Sequence, residues 1–289
     1  MTPGKPVQGR PVQSPLAYQA RRIGGKLALG FSVVVLLAPC LFVFFWMLSL
    51  ALKYDIDNTA YPPVFIPNPP TFDNFVHVFN ESPMGLYFWN SCIVSGLATL
   101  AALVLGVPAG YGIAKARAHS LAVVMLISRM TPGLSYLIPL FTLFQFIGLV
   151  GTIWPIAITH MVITLPIVVW VMIGFFETLP AELEEAARID GCSVWQAFLY
   201  VALPLARPGI VVGAILSFIY SWNNFIFGAV FAGRTTRTMP VAVYNMLTFE
   251  QYQWGPLAAA AIVVMLPVVV LTVVIQREIV AGLAAGGVK

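Results

Sequence analysis

One polar stretch, ETLPAELEEAARIDGCSVWQAFLYVALPLARPG (177–209), decides how this chain is organised, because the sequence on both sides of it is strongly apolar. Pro180 suits the first turn of a helix, and the glutamates that follow it favour the positive end of the helix dipole. Gly191 is the residue type that commonly ends a helix. Ser193 can begin a second helix, with Gln196 three residues later as a capping-box partner. The stretch therefore predicts two short helices joined by a glycine turn.

Both predicted helices are amphipathic. The first places Leu183, Ala186, Ala187 and Asp190 on one face, and the second has an apolar stripe of Trp195, Phe198, Leu199 and Ala202. Small alanines allow another surface to approach the backbone closely. A rigid helix parallel to the membrane can transmit force from a cytoplasmic partner. The same pattern also fits an interfacial helix that only packs on lipid headgroups, and the pattern alone leaves both interpretations open.

The composition outside this stretch indicates an integral membrane protein. Hydrophobic residues make up 60% of the 289 residues and charged residues 9%, against about 25% charged residues in an ordinary soluble domain. A soluble enzyme is excluded. A helical span needs about 20 apolar residues, and the gaps between charges predict six spans. These lie within 27–52, at 86–113, near 121–146 and 153–176, between Arg207 and Arg234, and between Glu250 and Arg277.

The distribution of positive charge predicts the orientation. Six spans place both termini on one side, and that side carries eleven Lys and Arg residues, whereas the other carries only Lys53, Arg234 and Arg237. The positive-inside rule therefore predicts cytoplasmic termini. The fold class is an all-α polytopic membrane protein with six transmembrane helices and a cytoplasmic coupling helix between spans four and five.

The predicted organisation has five parts. A disordered cytoplasmic tail (1–25) precedes the first transmembrane helix (26–52). The outer loop (53–85) contains YPPVFIPNPPTFDNF, whose prolines predict an extended, rigid segment that is either a connector or a partner-docking surface. A five-helix core (86–277) includes the loop 178–208, and a cytoplasmic tail (278–289) ends the chain. No cysteine or histidine spacing fits a metal site.

The string EEAARIDGCSVWQAFLYVALPLARPGI (184–210) closely resembles the EAA loop of the permeases of ATP-binding-cassette importers. Cys192 departs from the usual alanine of that pattern. PNPPTFDNF (67–75), SWNNFIFG (221–228) and QREIVAGLAAGGVK (276–289) resemble the carbohydrate permeases of the maltose type, so that the resemblance covers roughly 27–289. The predicted ATPase-coupling residues at the family's positions are Glu184, Glu185, Ala186, Ala187, Asp190, Gly191, Trp195, Phe198 and Pro204.

This resemblance implies a non-catalytic permease in a bacterial inner membrane. It implies a related second permease subunit, two cytoplasmic ATPase subunits that bind ATP and Mg²⁺, and an extracytoplasmic binding protein that delivers a carbohydrate. The outer loops near 53–85 and 233–255 would meet that binding protein. The chain has no GxxxxGK[ST] phosphate loop. The tail residues Gly286, Gly287, Val288 and Lys289 would reach into the ATPase pair.

Candidate residues for the substrate pathway combine polar groups with aromatic faces. They are Asn90 in span two, Arg129 in span three, and Tyr220, Trp222, Asn223 and Asn224 in span five. Aromatic belts and polar ties between helices are the alternative explanation for most of them. For Arg129 the alternative is snorkelling, or pairing with carbonyls freed by Pro132. A charge inside a span is a functional hypothesis by default.

Two other functions remain open at this point. An ATP-driven permease for a non-sugar solute would share the EAA loop, so only the outer loop and the tail argue against it. An ion-coupled carrier predicts acidic residues inside the spans, whereas the predicted spans contain no Asp or Glu.

Overall fold

The computed structural model describes residues 15–247 and 253–286, with side chains described over 25–247 and 253–273. Regular structure in this part of the chain is helical. The helices are α1 (Pro15–Ala51), α2 (Asp55–Asn58), α3 (Asp73–Glu81), α4 (Met84–Lys115), α5 (His119–Met130), α6 (Leu137–Phe146), α7 (Trp154–Glu177), α8 (Ala181–Ile189), α9 (Val194–Ala197), α10 (Leu203–Leu205), α11 (Arg207–Trp222), α12 (Ile226–Phe231), α13 (Met239–Asn245) and α14 (Trp254–Gly286). A 3₁₀ turn (Gly133–Tyr136) precedes α6, and a π turn (Phe198–Ala202) joins α9 to α10.

Four to six helical segments of the described chain can cross a bilayer. α4, α7 and parts of α1 (Gly25–Ala51) and α14 (Trp254–Val273) qualify as single helices. Two bent pairs qualify when each is counted as one span: α5 with the segment Gly133–Phe146, and the segment Val194–Leu205 with α11. Counting both bent pairs gives six, the number of predicted spans.

The core of the membrane bundle is formed by α4, α7 and α11, which pack closely because small residues lie between them. A Cβ added at Gly110 of α4 would lie 2.6 Å from Cβ of Met172, and one at Gly106 would lie 2.8 Å from Cγ1 of Val168. Val168 and Met172 of α7 are fully buried. In contrast, the membrane window of α1 contains no buried residue, so this helix lies at the periphery of the chain.

The third predicted span is wrong as a single helix. α5 and the segment beginning at Gly133 meet at an angle of 86°. Thr131 has extended backbone with φ −67° and ψ 125°. The cause is Pro132, because a residue before proline is displaced from the helical region, and proline itself has no N–H for the helical ladder. Within the interval predicted for span five, between Arg207 and Arg234, α11 ends at Trp222 and α12 follows as a separate short helix.

Two predictions about the segments on either side of span one, the N-terminal tail and the outer loop, are also corrected. α1 begins at Pro15, so residues 15–25 are helical and not a disordered tail, whereas residues 1–14 lie outside the described residues. The outer loop is not extended throughout, because it contains α2 and α3. Asn74 of α3 donates from Nδ2 to the carbonyls of Ala51 at 2.9 Å and Lys53 at 2.7 Å. These bonds anchor the loop to the end of span one.

Candidate functional site

The loop between α7 and α11 has the local structure that its sequence predicts. α8 follows Pro180 and ends at a glycine turn, where Gly191 has a φ of +95° that other residue types rarely adopt. The backbone N–H of Ser193 donates to Oε1 of Gln196 at 2.8 Å, and the N–H of Gln196 donates to Oγ of Ser193 at 3.3 Å. The two helices, the glycine turn and the capping box are therefore confirmed.

Glu184 ties α8 to the end of α4. Its Oε1 lies 2.7 Å from Nζ of Lys115, and its Oε2 accepts a hydrogen bond from the hydroxyl of Tyr111 at 2.8 Å. Glu184 is 8% exposed. Both partners lie on one face of the last turns of α4, at i and i+4. A buried carboxylate that is paired in this way holds the loop against the membrane bundle.

An aromatic cluster strengthens the same junction. The ring of Tyr111 lies 5.2 Å from that of Phe176 in α7 and 4.7 Å from that of Phe198 in the loop. Phe176 and Phe198 are each 2% exposed, and Ala202 is fully buried. These residues belong to one apolar cluster with Val168 in the middle of α7. The π turn that follows α9 is therefore part of the core of the bundle.

The predicted coupling residues divide into two groups. Glu184 and Phe198 face inward and bind the loop to the bundle, and Ala187 is half-buried. Glu185, Ala186, Asp190, Gly191, Trp195 and Pro204 are exposed. Large apolar side chains lie beside them, because Leu183, Ile189, Val194 and Trp195 are all exposed, Ile189 by 86%. We call this surface of Leu183, Glu185, Ile189, Val194 and Trp195 the loop outer face.

A polar groove runs beside the loop outer face. It has a volume of about 640 Å³ and lies between the end of α4, the end of α7 and α8. Its charged lining residues are Lys115, Arg117, Glu177, Glu184, Glu185 and Arg188. Protein interfaces typically have an apolar core surrounded by a polar rim. The exposed apolar side chains of the loop outer face and the charged groove beside it have this composition.

The candidate pathway residues do not form one site. Trp222 is 1% exposed and donates from Nε1 to the carbonyl of Val264 at 3.0 Å. Asn90 donates from Nδ2 to the carbonyls of Thr235 at 2.8 Å and Arg237 at 3.0 Å. Nδ2 of Asn223 donates to the carbonyl of Ile219 within its own helix. These three side chains are engaged within the chain, as the helix-packing alternative expects.

Arg129, Tyr220 and Asn224 do meet, at one cavity of about 360 Å³. The Cζ atom of Arg129 lies 6.0 Å from the centroid of the Tyr220 ring. The cavity lies where the third span breaks and where α11 ends, and Pro166 of α7 also lines it. The sequence prediction missed its polar lining residues Ser128 and Thr131. Pro132 was the signal that could have located the break.

Tyr111 and Lys115 were also missed as parts of the loop junction, although a Tyr and a Lys one helical turn apart at the end of a span indicated a polar face there.

Within the described side chains, no three His, Cys, Asp or Glu residues cluster as a metal site would require. The backbone of α14 is described to Gly286, whereas Gly287, Val288 and Lys289 lie outside the described residues. The predicted contact between the tail and an ATPase therefore stays a prediction.

Comparison with known proteins gives consistent matches. Residues 102–283 match the family described as binding-protein-dependent transport system inner membrane component. The chain is 32% identical to the sulfoquinovosyl glycerol transport system permease protein SmoH of Agrobacterium fabrum, over 92% of this chain and 94% of the relative. It is 36% identical to the trehalose transport system permease protein SugB of Mycobacterium tuberculosis, over 84% of this chain and 90% of the relative.

The fold is also found among solved structures. A chain of a bacterial ABC transporter involved in the import of the acidic polysaccharide alginate superposes with a TM-score of 0.74 at 20% identity, covering 93% of this chain and 99% of that one. A chain of a bacterial alginate ABC transporter in complex with a pentasaccharide-bound periplasmic protein has a TM-score of 0.63 at 16% identity, covering 92% and 98%. At these identities the similarity shows the fold.

Proposed function

This chain belongs to the family of binding-protein-dependent transport system inner membrane components, and we propose that it is the permease subunit of an ATP-driven carbohydrate importer. The names of its relatives support a carbohydrate, since they include trehalose, sulfoquinovosyl glycerol and diacetylchitobiose systems. The chain carries no phosphate loop. ATP with Mg²⁺ is therefore bound and hydrolysed by partner subunits, and this chain contributes the passage across the membrane.

The loop outer face is the observation that carries this proposal. Ile189 and Trp195 are 86% and 59% exposed on a loop that Glu184 and Phe198 fix to the bundle. Exposed Trp and Ile beside carboxylates have the composition of an interaction hot spot. Because the loop is packed into the core, a partner that moves it also moves α4 and α7. A flexible loop would not transmit such a movement.

The charge distribution supports an arrangement in which the loop and both termini are cytoplasmic. In this arrangement the loop outer face and the tail contact two ATPase subunits, and a related second permease completes the passage. The segment containing α2 and α3 lies on the opposite side of the membrane. There it meets an extracytoplasmic binding protein that delivers the carbohydrate.

Cross-linking in the reconstituted complex tests the proposal. After the three native cysteines are changed to serine, Ile189→Cys should cross-link to an ATPase subunit. Tyr61→Cys, which is 96% exposed in the outer loop, is the matched control and should not. Uptake into proteoliposomes should require both ATP and the binding protein. The alternative function, an ion-coupled carrier, predicts two other results. An ion gradient would drive uptake without the ATPase, and Ile189→Cys would cross-link to no other subunit.

A further inference from the structure

Two irregular segments of the membrane bundle converge on one cavity. The break between α5 and the 3₁₀ turn contributes Arg129, Thr131 and Gly133, and the end of α11 contributes Tyr220 and Asn224. Non-helical backbone at membrane depth is tolerated only where it is buried in protein or lines a water-filled space. The cavity volume of about 360 Å³ falls in the range of small-molecule sites, about 300–1,000 Å³.

The cavity has an unbalanced positive charge. Arg129 is the charged residue among those that line it, and a guanidinium keeps its proton in proteins. Among the described side chains, no carboxylate lies close enough to Arg129 to form an ion pair. The ion pair found in this part of the chain joins Lys115 to Glu184. Its aromatic neighbour, Tyr220, adds a weak attraction for the cation but no negative charge. Such a site favours an anion over a neutral molecule, and it disfavours a cation.

The remaining polar groups of the cavity suit hydroxyl groups. Thr131 and Tyr220 offer hydroxyls that can donate and accept. The Ser128 hydroxyl donates to the carbonyl of Met125 at 2.7 Å and keeps its capacity to accept, whereas Oδ1 of Asn224 accepts from the N–H of Phe227 at 3.4 Å and the amide nitrogen keeps its capacity to donate. Pro166 has no N–H to donate to the carbonyl of Val162 one turn earlier, and both residues line the cavity. A carbonyl without its helical donor is an acceptor for a ligand hydroxyl.

We infer that this cavity binds the transported molecule during passage, and that this molecule is an acidic carbohydrate whose carboxylate or sulfonate group binds the guanidinium of Arg129. The inference rests on the proposed function and adds the substrate class. An Arg fork can bind both oxygens of such a group, while the sugar hydroxyls bond to Asn224 and to neighbouring hydroxyls. Amino sugars are disfavoured by repulsion from Arg129, and neutral sugars bind more weakly because they lack the charged group.

Protection of a cysteine in the cavity tests this inference without knowledge of the natural substrate. Ser128→Cys is introduced into the full complex, with native cysteines changed to serine, and its reaction with a small maleimide is timed. The probes are glucuronate, glucose and glucosamine at matched ionic strength. Glucuronate should protect the cysteine from the maleimide at a concentration about tenfold lower than glucose does. The reason is that glucuronate makes one charge-assisted contact that glucose cannot make. Glucosamine should not protect.

Two variants identify the group responsible. Arg129→Gln should abolish the difference between glucuronate and glucose, and Arg129→Lys should retain part of it. Equal protection by the three probes, or protection by none, would overturn the inference.

A lipid headgroup is a second possible source of the anion. The rate of the maleimide reaction is measured again in vesicles of phosphatidylcholine alone and in vesicles that contain phosphatidylglycerol. Labelling that depends on phosphatidylglycerol and not on glucuronate would also overturn the inference. ATP-dependent uptake is measured on the same preparation. Uptake without anion preference contradicts only the substrate class, whereas no ATP-dependent uptake contradicts the proposed function.

Discussion

The carboxylate of Glu184 lies 2.7 Å from Nζ of Lys115, inside the junction between the loop and the bundle. The next residue, Glu185, is exposed on the loop outer face. Two adjacent acidic residues of the same motif therefore have different surroundings. The first holds the loop to its own chain, and the second is available to another protein.

The contrast between the two glutamates is directly testable. Glu184→Gln should lower the free energy of unfolding by about 0.5–1.5 kcal/mol, because the buried side chain at 184 loses its charge-assisted contact with the ammonium of Lys115, which is itself partly open to solvent. Glu185→Gln should leave stability unchanged and weaken association with the ATPase. Thermal unfolding of the purified complex and co-purification of the ATPase measure the two effects. The exchange Glu184→Lys with Lys115→Glu should restore part of the stability, and no restoration would contradict the pairing.

The hydroxyl of Tyr111 should be separable from its ring. Tyr111→Phe removes the hydrogen bond to Glu184 and keeps the ring contacts with Phe176 and Phe198, so it should cost about 0.5–1.5 kcal/mol. Tyr111→Ala also removes the packing and should cost about 3–5 kcal/mol. Melting temperatures of the two variants in detergent give the comparison. Equal losses would show that the ring contributes little to the junction.

Gly191 should be intolerant of a side chain because of its backbone and not for lack of space. Its φ is +95°, and a Cβ built there meets nothing within 4 Å. Gly191→Ala should therefore cost about 1–2 kcal/mol through backbone strain, and it should lower ATP-driven uptake by displacing the loop outer face. Gly174→Ala in α7 is the control, since that helical position is also open. A loss at Gly174 as large as that at Gly191 would argue against backbone strain.

The close approach of α4 to α7 predicts a second pair of glycine variants. Gly110→Ala places a Cβ 2.6 Å from that of Met172, which should cost about 1–3 kcal/mol by overpacking. Gly96→Ala, in the same helix, meets nothing within 4 Å and should be neutral or slightly stabilising. Thermal unfolding of both variants tests this difference. A neutral Gly110→Ala would mean that the helices separate easily at this crossing.

Local signals predicted a large part of the fold. Charge gaps and apolar length located the spans because the bilayer imposes a minimum length on each of them. The glycine turn at Gly191 and the capping box of Ser193 were predictable because both depend on residues close in sequence. The break at Pro132 was missed because prolines are often tolerated inside spans, as Pro108 and Pro166 are here.

The candidate site was only partly predictable. Tyr220 near the end of α11 and Asn224 just after it line the same cavity, whereas Trp222 between them is buried. The end of the helix at Trp222, which brings Asn224 to the cavity, has no clear signal in the sequence. The inward position of Glu184 could not have been deduced either, because it depends on Tyr111 and Lys115, which are distant in sequence.

The position of Trp195 gives the protein a natural optical reporter. The other tryptophans lie in α1, α4, α7, α11 and α14, the helices of the membrane bundle, whereas Trp195 is 59% exposed on the polar loop. Trp89, near the opposite end of the bundle, is 62% exposed, so an aqueous quencher such as iodide selects the Trp195 indole only when it is confined to the side of the membrane that carries the loop. A partner that binds over the loop should shield Trp195 from the quencher and restore its fluorescence. Association with the partner can then be followed in real time without a label on the chain.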